Sequence, residues 1–380
     1  MRQQNSHTDS KPRRNHHPQI EEGPTLYPYL RAARALKLPF YYSNDYAKLE
    51  IRLGKQKYNF FSGFTAFNDE ASSQLSFNKY YVNKLLQKAG FPVPSAIQIF
   101  KKDYLQGQWQ WPAFDFPLVA KPTSNPYGNG KDVYCNIKDK ETLIHYLEEH
   151  FKKYELITVE KYESKLIHYR VTLFFNRILG VVQHELPSVI GDGLHSIQEL
   201  IAIENERRAK NAAADLEQLF IDREAKDCLR EARVTLDAIP PRNTKMVLAY
   251  TSNAGRGATT HSLGTSICHE NAELLRQAAR LLNLNLVGFD VLCEDIQRPI
   301  QSSRGFIIEA NCHPSLNLHE WPLTGPPVPA AQIVLSRLIY RHPISYLQVL
   351  VKQAISALPV FLRILFALVF FVLLLKWLRH

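Results

Sequence analysis

Cysteine is sparse and unpaired: positions 135, 228, 268, 293 and 312 of 380 residues, with no CxxC and no regular spacing. An odd, scattered set excludes a disulfide framework and points to a reducing compartment. No glycine-rich loop ends in GK[ST], and none carries a third glycine opening a helix. A Walker A loop and a dinucleotide fingerprint are therefore both absent. Zinc-finger spacing is missing, as is any interleaving of basic with aromatic residues, which argues against a nucleic-acid partner. The N-terminus has no apolar h-region, so no secretory signal is expected there. No internal repeat is visible.

What is present is an ordinary globular composition, 45% hydrophobic and 22% charged, with a formal charge of +10. The length allows two or three domains with a sizeable core. Part of the positive charge lies in the first 20 residues, where Arg2, Lys11, Arg13 and Arg14 face Asp9 alone. That segment is polar and proline-containing, so residues 1–24 are expected to be a disordered basic tail. Excess positive charge also suits anionic substrates or an anionic membrane face.

The last stretch differs sharply. Residues 354–378 read AISALPVFLRILFALVFFVLLLKWL, with an uninterrupted apolar core from Ile364 to Leu375. With Leu358 to Leu362 included, it approaches the roughly 20 residues that span a bilayer. Arg363 can snorkel, and Lys376, Trp377 and Arg379 form an interfacial end. The expectation is a membrane-anchoring helix over 354–378, spanning or lying in the plane. The catalytic part would then sit at the cytoplasmic face.

Between these ends the pattern is α+β. Tyr29–Leu36 reads as a helix, and 48–53 with 56–61 as a hairpin across Gly54-Lys55, giving a small α/β cap over 25–75. A helix is expected from Ser76 to Lys88, stopped by Gly90 and Pro92. Strands follow at Ala96–Phe100, Pro117–Lys121 and Leu156–Glu160, then a hairpin of 169–176 with 178–185. Leu194–Glu206 and Ala272–Leu282 are helical in pattern, and 207–227 reads as a mobile helical insertion. Many hairpins imply a mixed fold rather than one parallel sheet.

Chemistry gathers at the strand ends. Gly305–Asn311 is an apolar strand carrying Glu309 and Asn311, which point the same way because side chains alternate. Asp290 sits in a second apolar strand, 287–292. Two carboxylates and an amide oxygen suit Mg²⁺, which takes few protein ligands and leaves positions for phosphates. A lone strand acid is more often only solvated, so the other segments decide. Phe116–Pro122 delivers Lys121 to a loop with Gly128 and Gly130, where backbone N–H groups can approach an anion. Val159-Glu160-Lys161-Tyr162 ends a strand in an acid beside a connector. Cys312 reads as a small buried residue, since no base partner is identifiable.

In this order the segments resemble the ATP-grasp ligases, above all the ATP-grasp part of cyanophycin synthetases and bifunctional glutathione synthetases. The likeness runs from about residue 26 to 330. It includes Asn78–Leu86, Val119–Pro122, the glycine loop, Val159–Tyr162, Tyr169-Arg170-Val171, Val189–Gly193, Gly288–Val291 and Ile308–Asn311. It implies an ATP-grasp fold, two α+β subdomains gripping ATP, over 76–335. It implies an ADP-forming ligation of a carboxylate to an amine through an acyl phosphate. The substrate would be an amino acid or peptide, with ATP and Mg²⁺ (or Mn²⁺) as cofactors; a homo-oligomer is compatible. Lys84 and Lys121 would contact ATP, and Gly128 and Gly130 would form a lid. Glu160, Lys161 and Tyr162 would hold adenine, and Asp290, Glu309 and Asn311 the metal. Arg170 and Arg256 would meet the substrate carboxylate or acyl phosphate. One departure stands out: His168 occupies the place of the family's ribose-binding acid. The family's large flanking parts are also missing. Together these keep a second reading alongside the first, an ATP-binding scaffold at the membrane without turnover.

Overall fold

The computed structural model describes residues 25–61, 64–123, 132–210 and 217–357, with isolated positions beyond. The chain opens with helix α1 (Tyr27–Ala35) and strands β1 (Phe40–Ser43), β2 (Lys48–Leu53) and β3 (Gln56–Phe61), which form one antiparallel sheet. Gly54, at a φ of +62°, makes the tight β2–β3 turn expected from sequence. Helices α2 (Glu70–Ser76) and α3 (Lys79–Lys88) follow. The single helix expected from Ser76 is thus corrected. The chain breaks at Phe77-Asn78, and Asn78 restarts it as an N-cap, accepting from Tyr81 N–H at 3.0 Å.

A four-stranded antiparallel sheet comes next: β4 (Ala96–Phe100), β5 (Leu118–Pro122), β6 (Tyr134–Ile137) and β7 (Leu156–Lys161), in the order β4-β7-β5-β6. Helix α4 (Lys101–Leu105) follows β4, and α5 (Lys140–His150) crosses from β6 to β7. Leu143, Tyr146 and Leu147 of α5 pack on Leu118, Ala120, Ile157 and Val159, so one sheet face is sealed.

The larger sheet has five antiparallel strands: β8 (Ile167–Phe174), β9 (Arg177–Glu185), β12 (Thr259–Ser262), β13 (Leu286–Cys293) and β14 (Gly305–Asn311), in the order β12-β9-β8-β13-β14. The β8–β9 hairpin turns at Phe175 and Asn176, both with positive φ, as a two-residue turn requires. Between β9 and β12 lie β10 (Ser188–Ile190), helices α6 (Ile197–Lys210) and α7 (Arg223–Glu231), and β11 (Lys245–Val247), around their own small core. The helical insertion expected over 207–227 is only partly helical: α6 ends at Lys210, α7 begins at Arg223, and 211–216 lie outside the described residues.

Val171, Val181, Val287, Phe289, Val291 and Ile307 form the buried face of the large sheet, against α3 and helix α8 (His269–Leu281). Its opposite face keeps the polar side chains. After β14 come α9 (Asn317–Glu320), α10 (Ala330–Arg341) and α11 (Pro343–Ala357), with α10 buried against α1 and β1–β3. The apolar tail is therefore preceded by a helix that sequence reading missed, and 354–357 are the last turn of α11. Among the described residues no helix is long and apolar enough to cross a membrane. The expected anchor lies mostly outside the described residues, as do the basic tail 1–24 and the loop glycines 128 and 130.

Phe289 is fully buried at the centre of the larger core. Phe289→Ala is expected to lower unfolding free energy by about 3–5 kcal/mol, read from the urea midpoint at unchanged slope.

Candidate active site

Because Leu118, Ala120, Ile157 and Val159 face α5, strand alternation turns Lys121, Thr158 and Glu160 to the other side. Lys121 Nζ lies 2.8 Å from Glu160 Oε2, and the Thr123 and Thr158 hydroxyls are 2.6 Å apart. Burial opposes the Lys121 charge, but Glu160, aided by Glu309, outweighs it and raises the ammonium pKa. Glu309 belongs to β14, so the polar face of the large sheet comes within electrostatic reach of Lys121. The buried thiol of Cys135 senses this centre: burial pushes its pKa up, and Glu224, Lys121, Glu160 and Arg256 all act on it.

On the large sheet, Asp290 is directly opposite Arg170 on one side and Glu309 on the other; Gly288 is opposite Thr172 and Asn311. Arg170 grips both carboxylate oxygens of Asp290, Nε to Oδ1 at 2.6 Å and Nη2 to Oδ2 at 2.9 Å. Asn311 Nδ2 donates to Oδ2 at 3.1 Å, and His168 Nε2 approaches Oδ1 to 3.1 Å. Burial opposes ionisation of Asp290, yet the Arg170 guanidinium and His168 prevail and hold the carboxyl well below its usual range. Gly288 makes room for this clamp: a Cβ there would lie 3.1 Å from Arg170 Cδ and 2.9 Å from Pro314 Cβ. Glu309 has a separate partner, Lys79 Nζ at 3.0 Å.

Three histidines border the clamp. The His168 ring stacks on His184 with centroids 4.5 Å apart, and its Nδ1 is 2.6 Å from Ser252 Oγ. Neither ring nitrogen of buried His184 has a hydrogen-bond partner among the described residues. His319, fully buried, sits over Gly180, with Nε2 at 2.7 Å from Thr172 Oγ1 and Nδ1 unpartnered. Burial, reinforced by Arg170, pushes the pKa of both His184 and His319 down to about 3. Both imidazoles are therefore neutral near pH 7.

Arg256 lies in the turn just before β12, held by Asp222 at 2.5 Å and Glu224 at 2.7 Å. Glu224 also accepts the N–H groups of Tyr250 and Thr251, at 2.5 and 3.2 Å. Burial raises its pKa against the pull of Arg256.

This architecture has known counterparts. No family model matches the chain. It is 26% identical over 318 residues to cyanophycin synthetase of Synechocystis, covering 83% of this chain and 36% of that protein. The cyanophycin synthetase of Trichormus variabilis is 28% identical over 267 residues, 70% of this chain and 29% of the relative. The structure matches the crystal structure of a bifunctional glutathione synthetase from Pasteurella multocida with a TM-score of 0.58 at 22% identity, covering 83% of this chain and 43% of that one. The chain has the ATP-grasp fold. It spans about a third of the length of the curated relatives it matches.

Within this fold, Lys121 and Glu160 come together on one sheet, and Arg170, Asp290, Glu309 and Asn311 on the other. The Lys161 and Tyr162 amides donate to the Ser95 and Pro117 carbonyls, both at 3.0 Å, so the two backbone N–H groups expected at adenine are engaged within the fold. Lys84 turns along its own helix, 3.1 Å from Gln87 Oε1 and over the Tyr80 ring. The donor set fits a hard divalent cation: Glu309 and Asn311 offer oxygens beside Asp290, whose two oxygens are already held by Arg170. Among the described residues there is no group of three or more His, Cys, Asp or Glu that could hold a metal ion.

Sequence reasoning missed Lys79, His184, His319 and the Asp222–Glu224 pair. Lys79 did leave a signal. It is the first residue of α3, where the helix dipole disfavours a cation, and that first turn has no acid. The others depend on long-range pairing that spacing does not reveal.

The histidines set a pH dependence. A group whose folded pKa is depressed contributes stability above its unfolded pKa and loses it as pH falls. His184 and His319 should therefore destabilise the fold as pH drops from about 6.5 toward 3. The unfolding free energy from urea titrations should fall from pH 7 to 4 in the native chain, by up to about 1.4 kcal/mol per pH unit for each histidine. His184→Gln should flatten that decline.

Proposed function

We propose that the chain is an ATP-dependent, ADP-forming carboxylate–amine ligase acting on an amino acid or peptide. The observation that carries this reading is the opposition of two polar sheet faces, Lys121 with Glu160 against Arg170, Asp290, Glu309 and Asn311, in an ATP-grasp fold. The likeness to cyanophycin synthetase supports an amino acid or peptide as substrate.

In this reading ATP lies between the faces. Adenine meets Glu160 and the strand end at Lys161 and Tyr162, and the phosphates run toward Lys121 and Glu309. Lys84 adds positive charge if α3 and the small sheet close together. The substrate carboxylate attacks the γ-phosphorus, the bond to the β-phosphate oxygen breaks, and ADP leaves an acyl phosphate. The amine then attacks the acyl carbon, phosphate departs, and an amide remains after proton loss. Glu309 and Asn311, with Asp290 beside them, would hold Mg²⁺ (or Mn²⁺), which when bound would neutralise charge around the transferring phosphoryl group. Lys121 adds a fixed cation at the same place.

Arg170 fixes Asp290 with two of its donors and has further N–H groups for developing charge. Arg256 receives the substrate carboxylate by exchanging it for Asp222, the more exposed of its two partners. Gly128 and Gly130, which lie outside the described residues, would by the resemblance belong to a lid that keeps water from the acyl phosphate. No enzyme nucleophile is needed, which agrees with burial raising the thiol pKa of both Cys135 and Cys312.

We also infer a membrane tether through 354–378, at the cytoplasmic face. The apolar run 364–375 and five free cysteines support it.

ADP release from ATP and Mg²⁺ with amino-acid and dipeptide pairs tests the ligase. Glu309→Ala is expected to lower kcat by about 10²–10³-fold, and Lys121→Ala to raise KM for ATP. ATP binding without turnover across all pairs would favour a scaffold. A flat calorimetric titration with Mg-ATP would overturn both readings.

A further inference from the structure

Helix α11 carries apolar residues on two opposite sides, and only one of them is used. Tyr346, Val349 and Gln353 face the protein. Tyr346 and Val349 pack beside α1 and α10, the Tyr346 hydroxyl donates to Leu36 O at 2.7 Å, and Gln353 Nε2 donates to Lys37 O at 3.2 Å. Half a turn away, Ile344, Leu347, Val351 and Ile355 recur at spacings of three and four and form one stripe. They are 73%, 61%, 48% and 51% exposed. A shallow groove of about 360 Å³ runs along the stripe, lined by Leu347, Gln348, Val351, Lys352 and Ile355. A soluble helix keeps charged and polar residues on its outer face; this one does not.

Charge identifies what covers the stripe. Glu320 is the last acid in the sequence: residues 321–380 contain no Asp or Glu, and six cations, Arg337, Arg341, Lys352, Arg363, Lys376 and Arg379. Exposed Arg341 and Lys352 lie on α11's own flank or just before it, where long stems can run along apolar groups and lift their charges to headgroup level. The helix leads directly into the apolar run 364–375. At 15 residues α11 is about 22 Å long, too short to cross a hydrocarbon core of about 30 Å. An apolar stripe with cationic edges is the composition of a helix lying in a membrane interface.

We propose that α11 lies flat on an anionic lipid bilayer, with Ile344, Leu347, Val351 and Ile355 in the interface. The proposal rests on the tether reading for 354–378 and adds a second, separate contact. It docks the cap formed by α1, β1–β3 and α10 against the lipid surface, so that the catalytic faces are held at a fixed orientation to the bilayer.

The test uses the full chain with phosphatidylcholine vesicles, with and without phosphatidylglycerol, reading vesicle co-sedimentation and amide hydrogen exchange over 344–357. Anionic vesicles should slow exchange in α11, and neutral vesicles should do so less. The double substitution Leu347→Glu and Val351→Glu, at solvent-facing positions, should keep the melting temperature. It should also weaken co-sedimentation by about tenfold or more. Capture of the chain with no slowing over 344–357 would overturn the α11 proposal and leave the tether standing. No capture at all would overturn both. Slowing that grows with protein concentration in the absence of lipid, and vanishes in the double variant, would assign the stripe to a second copy and overturn the lipid assignment.

Discussion

The buried pair Arg170–Asp290 is the constraint on which the centre of the molecule depends. Strands β8 and β13 are neighbours in the middle of the large sheet, apolar on their other face, and a lone carboxylate there would be untenable. Removing one partner from such a pair costs about 3–5 kcal/mol, because the remaining charge is left buried and unpaired. The geometry is correspondingly complete: two guanidinium bonds, an amide bond from Asn311 and the close approach of His168 surround one carboxylate. Gly288 keeps the space in which Arg170 lies along the sheet. The ladder slips by one residue just after Asp290, so Glu309 remains opposite it while the apolar order resumes at Val291 and Ile307. One ion pair thus fixes the register of the strands that carry three of the site's oxygen donors.

The same logic separates the two sheets. Each has one face sealed by helices, α5 on the small sheet, α3 and α8 on the large one. Alternation then forces every polar strand residue onto the faces that remain, and those faces oppose each other. Helix α9 adds His319 to the polar face of the large sheet, over Gly180 and beside Thr172. Each sheet brings a cation together with oxygen donors, Lys121 with Glu160 on one and Arg170 with Asp290, Glu309 and Asn311 on the other. Lys121 is raised in pKa by Glu160 and Glu309 together, a coupling across the cleft.

Much of this was legible in the residues. Hairpins at Gly54 and Asn176 follow from turn chemistry, and the strands of both sheets from short apolar runs. Asp290, Glu309 and Asn311 were readable as a group because period-two alternation sets their direction, and the register then brings them side by side. Other parts were not readable. Whether Asp290 would face solvent, metal or arginine depends on which strand pairs with β13, a contact 120 residues apart in sequence. Asn78 as a helix start was hidden because an N-cap and an interior residue look alike inside a polar run. The helices α10 and α11 were missed because proline-rich 322–329 and the apolar tail drew attention from the ordinary amphipathic segment between them.

Local rules are broken in few places here, and most of those places coincide. Lys79 opens a helix at its positive end; Arg170 and Asp290 are buried charges in a sheet; His184 and His319 are buried imidazoles with nitrogens unpartnered. Each is unfavourable for folding alone, and stability alone would replace them with a neutral cap, aliphatic pairs and a valine or leucine. All of them adjoin one face of one sheet. Residues that weaken the fold and yet cluster on a single surface are most simply explained by a requirement other than folding, since natural sequences violate local consistency chiefly at functional sites. The exposed stripe of α11 is a violation of a second kind, apolar where water should be, and it lies on the far side of the cap from these groups. Two separate departures from the folding optimum therefore mark two separate demands, one chemical and one positional, and the cap between them is the element that transmits the second to the first.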